Sequence, residues 1–189
     1  MMCHGFKGGI GTASRELSTK AGSYTLGVLV QANYGLREHL TIAGVPVGRE
    51  IADLMPDFKS SRSDTGSIIV VVGTDAPLLP HQLKRVARRV SLGIAKVGGV
   101  GENGSGDIFI AFSTANPGAA QRSGIAQLEM LSNDMMTPLF EATVQATEEA
   151  IVNALVTAKT MTGINGNTIY ALPTERLKTI LRRYNRMKK

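Results

Sequence analysis

Tryptophan is absent from the 189-residue chain, cysteine occurs once, and aromatic residues make up only 5%. A single thiol excludes a disulfide scaffold and any zinc site built on several thiolates. Four tyrosines and five phenylalanines leave little surface on which nucleobases could stack. No apolar run approaches the roughly 18 residues of a membrane span, so no membrane partner is expected. The opening residues, Met-Met-Cys-His-Gly-Phe-Lys, lack the apolar core of a secretion leader, which points to a cytoplasmic location. His4, His39 and His81 lie far apart without ligand spacing, so no metal site is expected. Cys3 falls in what reads as a frayed end, and nothing marks it as a nucleophile.

What the chain does have is enough apolar material for one sizeable core. With 43% hydrophobic and 19% charged residues and a mean hydropathy of +0.03, it is not a disordered chain. The net charge of +6 suggests a nucleic-acid partner at first sight. Its distribution argues against one. Residues 176–189, RLKTILRRYNRMKK, carry seven basic and no acidic side chains, and the remainder is close to neutral. The basicity reads as a solvated helix end that suits the helix dipole.

Along the chain, residues 5–14 read as a glycine-rich loop and 24–32, YTLGVLVQA, as a buried strand ending at the turn Asn33-Tyr34-Gly35. Residues 40–49 suggest a short strand or turn, and 56–66, PDFKSSRSDTG, an exposed loop. SIIVVVGT at 67–74 is the strongest strand signal, expected to be buried on both faces. Leu83, Val86, Val90, Ile94 and Val97 mark one amphipathic helix terminated by Gly98 and Gly99. A strand is expected at 107–114, and a long helix over roughly 134–162 with Gly163 as its C-cap. A last helix begins at 174. Gly99-Val-Gly101-Glu-Asn-Gly104 matches G-x-G-x-x-G but follows a helix and opens a strand. This is the inverse of a dinucleotide site, so it reads as a loop. Strands mixed with long helices indicate an α/β or α+β class.

The chemistry concentrates at Gly66-Ser67, where an exposed polar loop meets the most apolar strand. Serine at a strand start commonly just satisfies a backbone group. If the bond between them were cut, however, Ser67 would carry a free α-amine with a pKa of roughly 7.7–8.0. That amine could act as base for the hydroxyl of the same residue. Gly66, lacking a Cβ, permits the close approach that such a cleavage needs.

The segments FKGGIGTASR (6–15), YTLGVLVQAN (24–33), GVPVGRE (44–50), TGSIIVVVGTDAPLLPHQLKRVARR (65–89), GENGSGDIFIAFSTAN (101–116) and NTIYALPTERL (167–177) resemble the L-aminopeptidase/D-esterase family, which includes the β-peptidyl aminopeptidases. The resemblance implies an α+β, four-layer αββα sandwich of the self-processing N-terminal nucleophile type. It implies cleavage between Gly66 and Ser67, with residues 1–66 ending a large subunit and 67–189 forming the small one. Ser67 matches the nucleophile. Ser105 and Asp107 match a supporting serine and acid, and Asn33 matches an oxyanion donor. Where some relatives carry glutamate, this chain has Asp107, one methylene shorter. The family's region upstream of the glycine-rich loop, with its active-site tyrosine, has no counterpart. Tyr24, Tyr34, Tyr170 and Tyr184 do not obviously replace that tyrosine, so the sandwich is expected to be incomplete. The implied activity is removal of N-terminal residues from small peptides, amides or esters through an acyl-enzyme on Ser67. It needs no metal or organic cofactor, and the processed units are expected to form a homo-oligomer. The alternatives are an inactive fragment of such an enzyme, or an acyltransferase of the ornithine acetyltransferase kind. The last ranks lower because its nucleophile is threonine. A basic nucleic-acid-binding module ranks lowest.

Overall fold

A computed structural model describes residues 1–19, 22–59 and 66–188. Its centre is a four-stranded sheet of β3 (Ile10–Thr19), β4 (Gly22–Asn33), β5 (Ser67–Thr74) and β6 (Ile108–Ser113), in that spatial order. β3–β4 and β4–β5 are antiparallel, and β5–β6 is parallel. The parallel pair requires a crossover. Two helices in the connection supply it, α2 (Pro80–Ala87) and α3 (Val90–Lys96). Helix α4 (Thr137–Val156) lies against β3 and β4, and α3 packs on α4. The sheet and these helices make two of the four layers expected, within the α+β class.

One face of the sheet is core. Ile68, Val70 and Val72 of β5 are fully buried beside Leu26, Val28 and Val30 of β4. The other face is open: Ile69 and Val71 are half-buried, while Ile108 is 52%, Ile110 49% and Phe112 47% exposed. This corrects the expectation that β5 is buried on both faces. β-branched residues fill both sides, but among the described residues helices cover only one. Phe112 lies over Gly73, where a Cβ would come 2.9 Å from its ring.

Four other expectations change. The glycine-rich stretch is largely strand. β1 (Met2–Cys3) and β2 (Phe6–Lys7) form a hairpin through His4 and Gly5, both at positive φ, and β3 follows. Cys3 is fully buried rather than frayed, and burial pushes its thiol far up. The helix expected over 80–97 is two helices, α2 and α3, because the chain turns at Arg88-Arg89. The long helix ends at Val156, with Thr157 rather than Gly163 at its C-cap. The 40–49 segment forms a tight turn bridging Ile42 and Val45, followed by the single helical turn α1 (Val47–Glu50). Most of the expected 56–66 loop lies outside the described residues. Its start pairs with the small hairpin of β7 (Met161–Thr162) and β8 (Thr168–Ile169) through Asp57 and Thr168.

One device knits residues 1–66 together and a second ties them to the rest of the chain. Arg37, nearly buried, donates to the carbonyls of His4, Gly5, Ile51 and Leu54 and lies 3.3 Å over the Phe6 ring. Burial lowers its guanidinium to about 10. The last helix, α5 (Thr174–Arg183), is tied to the first segment by a bidentate Arg176–Asp53 pair at 2.8 Å and by Arg183 and Tyr184 on Glu50. Part of the basic tail is therefore paired rather than merely solvated.

Candidate active site

Ser67 is the first residue of β5, and its register partner is Asn33, the last residue of β4. Both belong to the open face, the side that is not core, and both are half-buried. Antiparallel pairing thus sets the expected nucleophile beside the expected oxyanion donor. Gly66 precedes them at a point where a Cβ would sit 2.6 Å from the Asn33 carbonyl oxygen and 2.9 Å from Tyr34 Cα. Only glycine fits there without displacing backbone.

β6 brings the remaining groups. Asp107 immediately precedes it, next to the parallel partner strand β5. Its Oδ1 accepts from Ser105 Oγ at 2.5 Å and from the Ile68 N–H at 3.0 Å. The carboxylate is therefore fixed one residue from the Ser67 backbone nitrogen. The four side chains expected from sequence, Asn33, Ser67, Ser105 and Asp107, form one constellation together with Gly66.

Two backbone donors complete the geometry, and the residue types gave no sign of either. The Gly106 N–H donates to Ser67 Oγ at 2.9 Å, fixing the hydroxyl. The Met2 N–H donates to Asn33 Oδ1 at 2.9 Å. With that oxygen committed, the NH₂ is what Asn33 can offer to a developing oxyanion. A backbone N–H has no sequence signature; the only available hint was Gly106 standing between two singled-out residues. No group of three or more His, Cys, Asp or Glu among the described residues could hold a metal ion.

The glycine between the serine and the acid, the serine opening β5 and the asparagine closing β4 are held by chain that a single family covers. A model described as Peptidase family S58 matches residues 1–169. The chain belongs to peptidase family S58. It is 50% identical over 199 aligned positions to a β-peptidyl aminopeptidase BapA of Sphingosinicella microcystinivorans, covering 99% of this chain and 50% of that protein. It is 43% identical to the β-peptidyl aminopeptidase BapA of Sphingosinicella xenopeptidilytica, covering 96% of this chain and 48% of that one. Among solved structures, it matches the L-aminopeptidase D-Ala-esterase/amidase from Ochrobactrum anthropi with a TM-score of 0.89 and 47% identity. That match covers all of this chain and 51% of that one. The structure is described as a prototype for the serine aminopeptidases and a new variant of the Ntn hydrolase fold. A Burkholderia sp. β-aminopeptidase matches with a TM-score of 0.82 and 46% identity, over 97% of this chain and 51% of that one. The S58 chain described here spans about half the length of the curated relatives it matches.

Proposed function

We propose that this S58 chain is the serine-bearing part of a self-processing aminopeptidase. The observation that carries the reading is the placing of Ser67 Oγ under the Gly106 N–H, beside Asn33 and one residue from the fixed Asp107 carboxylate. In the processing step the Ser67 hydroxyl attacks the Gly66 carbonyl. The C–N bond to Ser67 breaks and an ester forms, and water hydrolyses that ester to leave a Gly66 carboxylate and a free Ser67 amine. The Asn33 NH₂ donates to the oxyanion of the addition step. In turnover, the neutral amine takes the Ser67 hydroxyl proton as that oxygen attacks a substrate carbonyl, then returns it to the leaving group. Water releases the acyl group from Ser67. Asp107 supports the ammonium form that appears midway.

The substrate class is small peptides, amides or esters with a free amino end. The names of the relatives span β-peptidyl, L-amino-acid and D-alanyl substrates, and this common denominator covers all three. Residues 1–66 and 67–189 are the two proposed subunits. The β4–β5 ladder and the α5 ion pairs favour their staying together after the cut.

A second reading follows from the open sheet face, where Ile10, Leu29, Ile108, Ile110 and Phe112 are 40–58% exposed. On it, the chain alone leaves its site open on that side and stays uncut and inactive. Intact-mass measurement of purified protein separates the two. Processing yields two species ending at Gly66 and beginning at Ser67, and Ser67→Ala remains whole. A wild type that stays whole, indistinguishable from Ser67→Ala, would rule out self-processing by this chain. Release of p-nitroaniline from β-alanyl, L-alanyl and D-alanyl anilides then ranks the substrates.

A further inference from the structure

Among the described residues five buried side-chain polar atoms have no hydrogen-bond partner: His39 Nδ1, Thr147 Oγ1 and three whose residues act on one another, His4 Nε2, Tyr34 Oη and Glu102 Oε1. His4 is fully buried and Tyr34 is 4% exposed. Their rings meet edge-on with centroids 4.9 Å apart. Both rings are wedged in place: a Cβ on Gly35 would come within 2.4 Å of the His4 ring, and one on Gly99 within 2.7 Å of Tyr34. The Glu102 carboxylate is near enough to act on both, favouring the charged form of His4 and the protonated form of Tyr34.

His4 Nδ1 lies 2.9 Å from the Leu36 carbonyl, which can only accept, so Nδ1 carries the proton. Burial, the largest influence on His4, keeps the ring neutral, so Nε2 is a bare acceptor. Glu102 Oε1 is a second acceptor. Tyr34, held protonated mainly by burial, brings one O–H donor. Two acceptors and one hydroxyl are the complement of a single water molecule, which donates twice and accepts. Buried waters characteristically make about three such bonds to otherwise unpaired groups.

We infer that His4, Tyr34 and Glu102 bind one buried water, and that the three are positioning residues for the site. The water donates to His4 Nε2 and Glu102 Oε1 and accepts from Tyr34 Oη. Each of its three segments also carries part of the Ser67 constellation. The His4 segment supplies the Met2 N–H that orients Asn33. Tyr34 follows Asn33 directly and lies under Gly66. The Glu102 carbonyl accepts from the Ser105 N–H at 2.8 Å, in the turn that presents Ser105 and Asp107. One water therefore couples the oxyanion side of the site to the acid side. This positioning role rests on the reading of Ser67 given above; the water itself does not.

A crystal structure of this chain at about 1.5 Å is expected to show one water within roughly 2.6–3.2 Å of all three atoms. Direct contact of Tyr34 Oη with Glu102 or His4, no density, or a cation at shorter distances overturns the assignment. Tyr34→Phe keeps the ring and removes the donor. In a folded Tyr34→Phe sample, appearance of the 67–189 fragment should slow by about tenfold to hundredfold, the scale of a small misplacement of reacting groups. A purely structural role would lower thermal stability and leave the rate of the folded protein unchanged, and that result overturns the positioning role. If the wild type is never cut, the self-processing reading fails, and the density alone decides the water.

Discussion

At Ser67 the chemistry depends on groups that separate segments of the chain bring beside it: Asn33 from β4, and Ser105, Gly106 and Asp107 from the turn before β6. Asn33 is the most diagnostic, because its Oδ1 is already taken by the Met2 N–H. Asn33→Ala should lower the processing rate by about 10²–10³, the usual cost of losing one oxyanion donor. Asn33→Asp should be at least as slow. A carboxylate keeps the Met2 bond, has no N–H to donate and adds negative charge where an oxyanion forms. Following the 67–189 fragment by mass over time reads both variants, and a faster Asp variant would argue against Asn33 as the donor. Gly66→Ala tests the neighbouring close approach. The new Cβ must displace the Asn33 carbonyl, costing about 1–3 kcal/mol as overpacking. It should lower the thermal midpoint as well as slow cleavage. Legibility at this scale was uneven. Ser67 could be flagged from a polar loop meeting an apolar strand, but the roles of Asn33, Ser105 and Asp107 came only with the family resemblance. The Gly106 and Met2 N–H groups were invisible, since every residue but proline has one. The pairing of His4, Tyr34 and Glu102 was equally hidden, because they are 30 or more positions apart and meet only in the fold.

At the scale of elements, small residues set how closely the layers approach. A Cβ on Gly11 of β3 would sit 2.0 Å from the Ala150 carbonyl of α4. Gly11→Ala should therefore push α4 off the sheet, with a loss of about 1–3 kcal/mol in urea unfolding. An unchanged midpoint would contradict that packing. Small residues also explain why β3 escaped sequence reasoning. Its core-facing positions include Gly11 and Ala13, which give no hydrophobic alternation, whereas β5 announces itself with a run of β-branched residues. The amphipathic pattern over 80–97 was real, since Val86, Val90 and Ile94 are all buried, but spacing alone could not reveal the turn at Arg88-Arg89. Arg37 is the corresponding device for the loops. Arg37→Lys keeps the charge but loses the fork that serves four carbonyls. It should destabilise by more than about 2 kcal/mol, because each buried carbonyl left unpaired costs about 1–3. Arg37→Lys with wild-type stability would show that the clamp is dispensable.

For the molecule as a whole, charge and apolar surface have separate consequences. The hydrogen bond from Arg176, with its charge, lowers the Asp53 carboxyl from 3.8 to about 2. A depressed carboxylate adds stability above its unfolded pKa and loses it as protonation proceeds. The α5 tether should therefore weaken between about pH 4 and pH 2. Asp53→Asn should show a shallower fall of thermal midpoint over that window, and identical slopes would show the pair to be inert. The effect should be small and salt-sensitive, as for exposed pairs generally. The open face should drive self-association, because exposed apolar area on this scale seeks a partner. Ile110→Lys, on the exposed side of β6, should lower the sedimentation-average mass, and no change would place the association elsewhere. The net charge of +6 foretold neither behaviour, because composition counts charges without saying which are paired.

The β4–β5 ladder runs through eight register pairs from Leu26↔Thr74 to Asn33↔Ser67, and the proposed cut lies at its last rung. Before cutting, forming this ladder is a unimolecular event. Afterwards it joins two polypeptides, and re-forming it becomes second-order in concentration. The cut protein would thus refold more slowly on dilution while the uncut Ser67→Ala form would not. Processing would make recovery of the fold depend on the concentration of both pieces, a dependence that the uncut protein lacks.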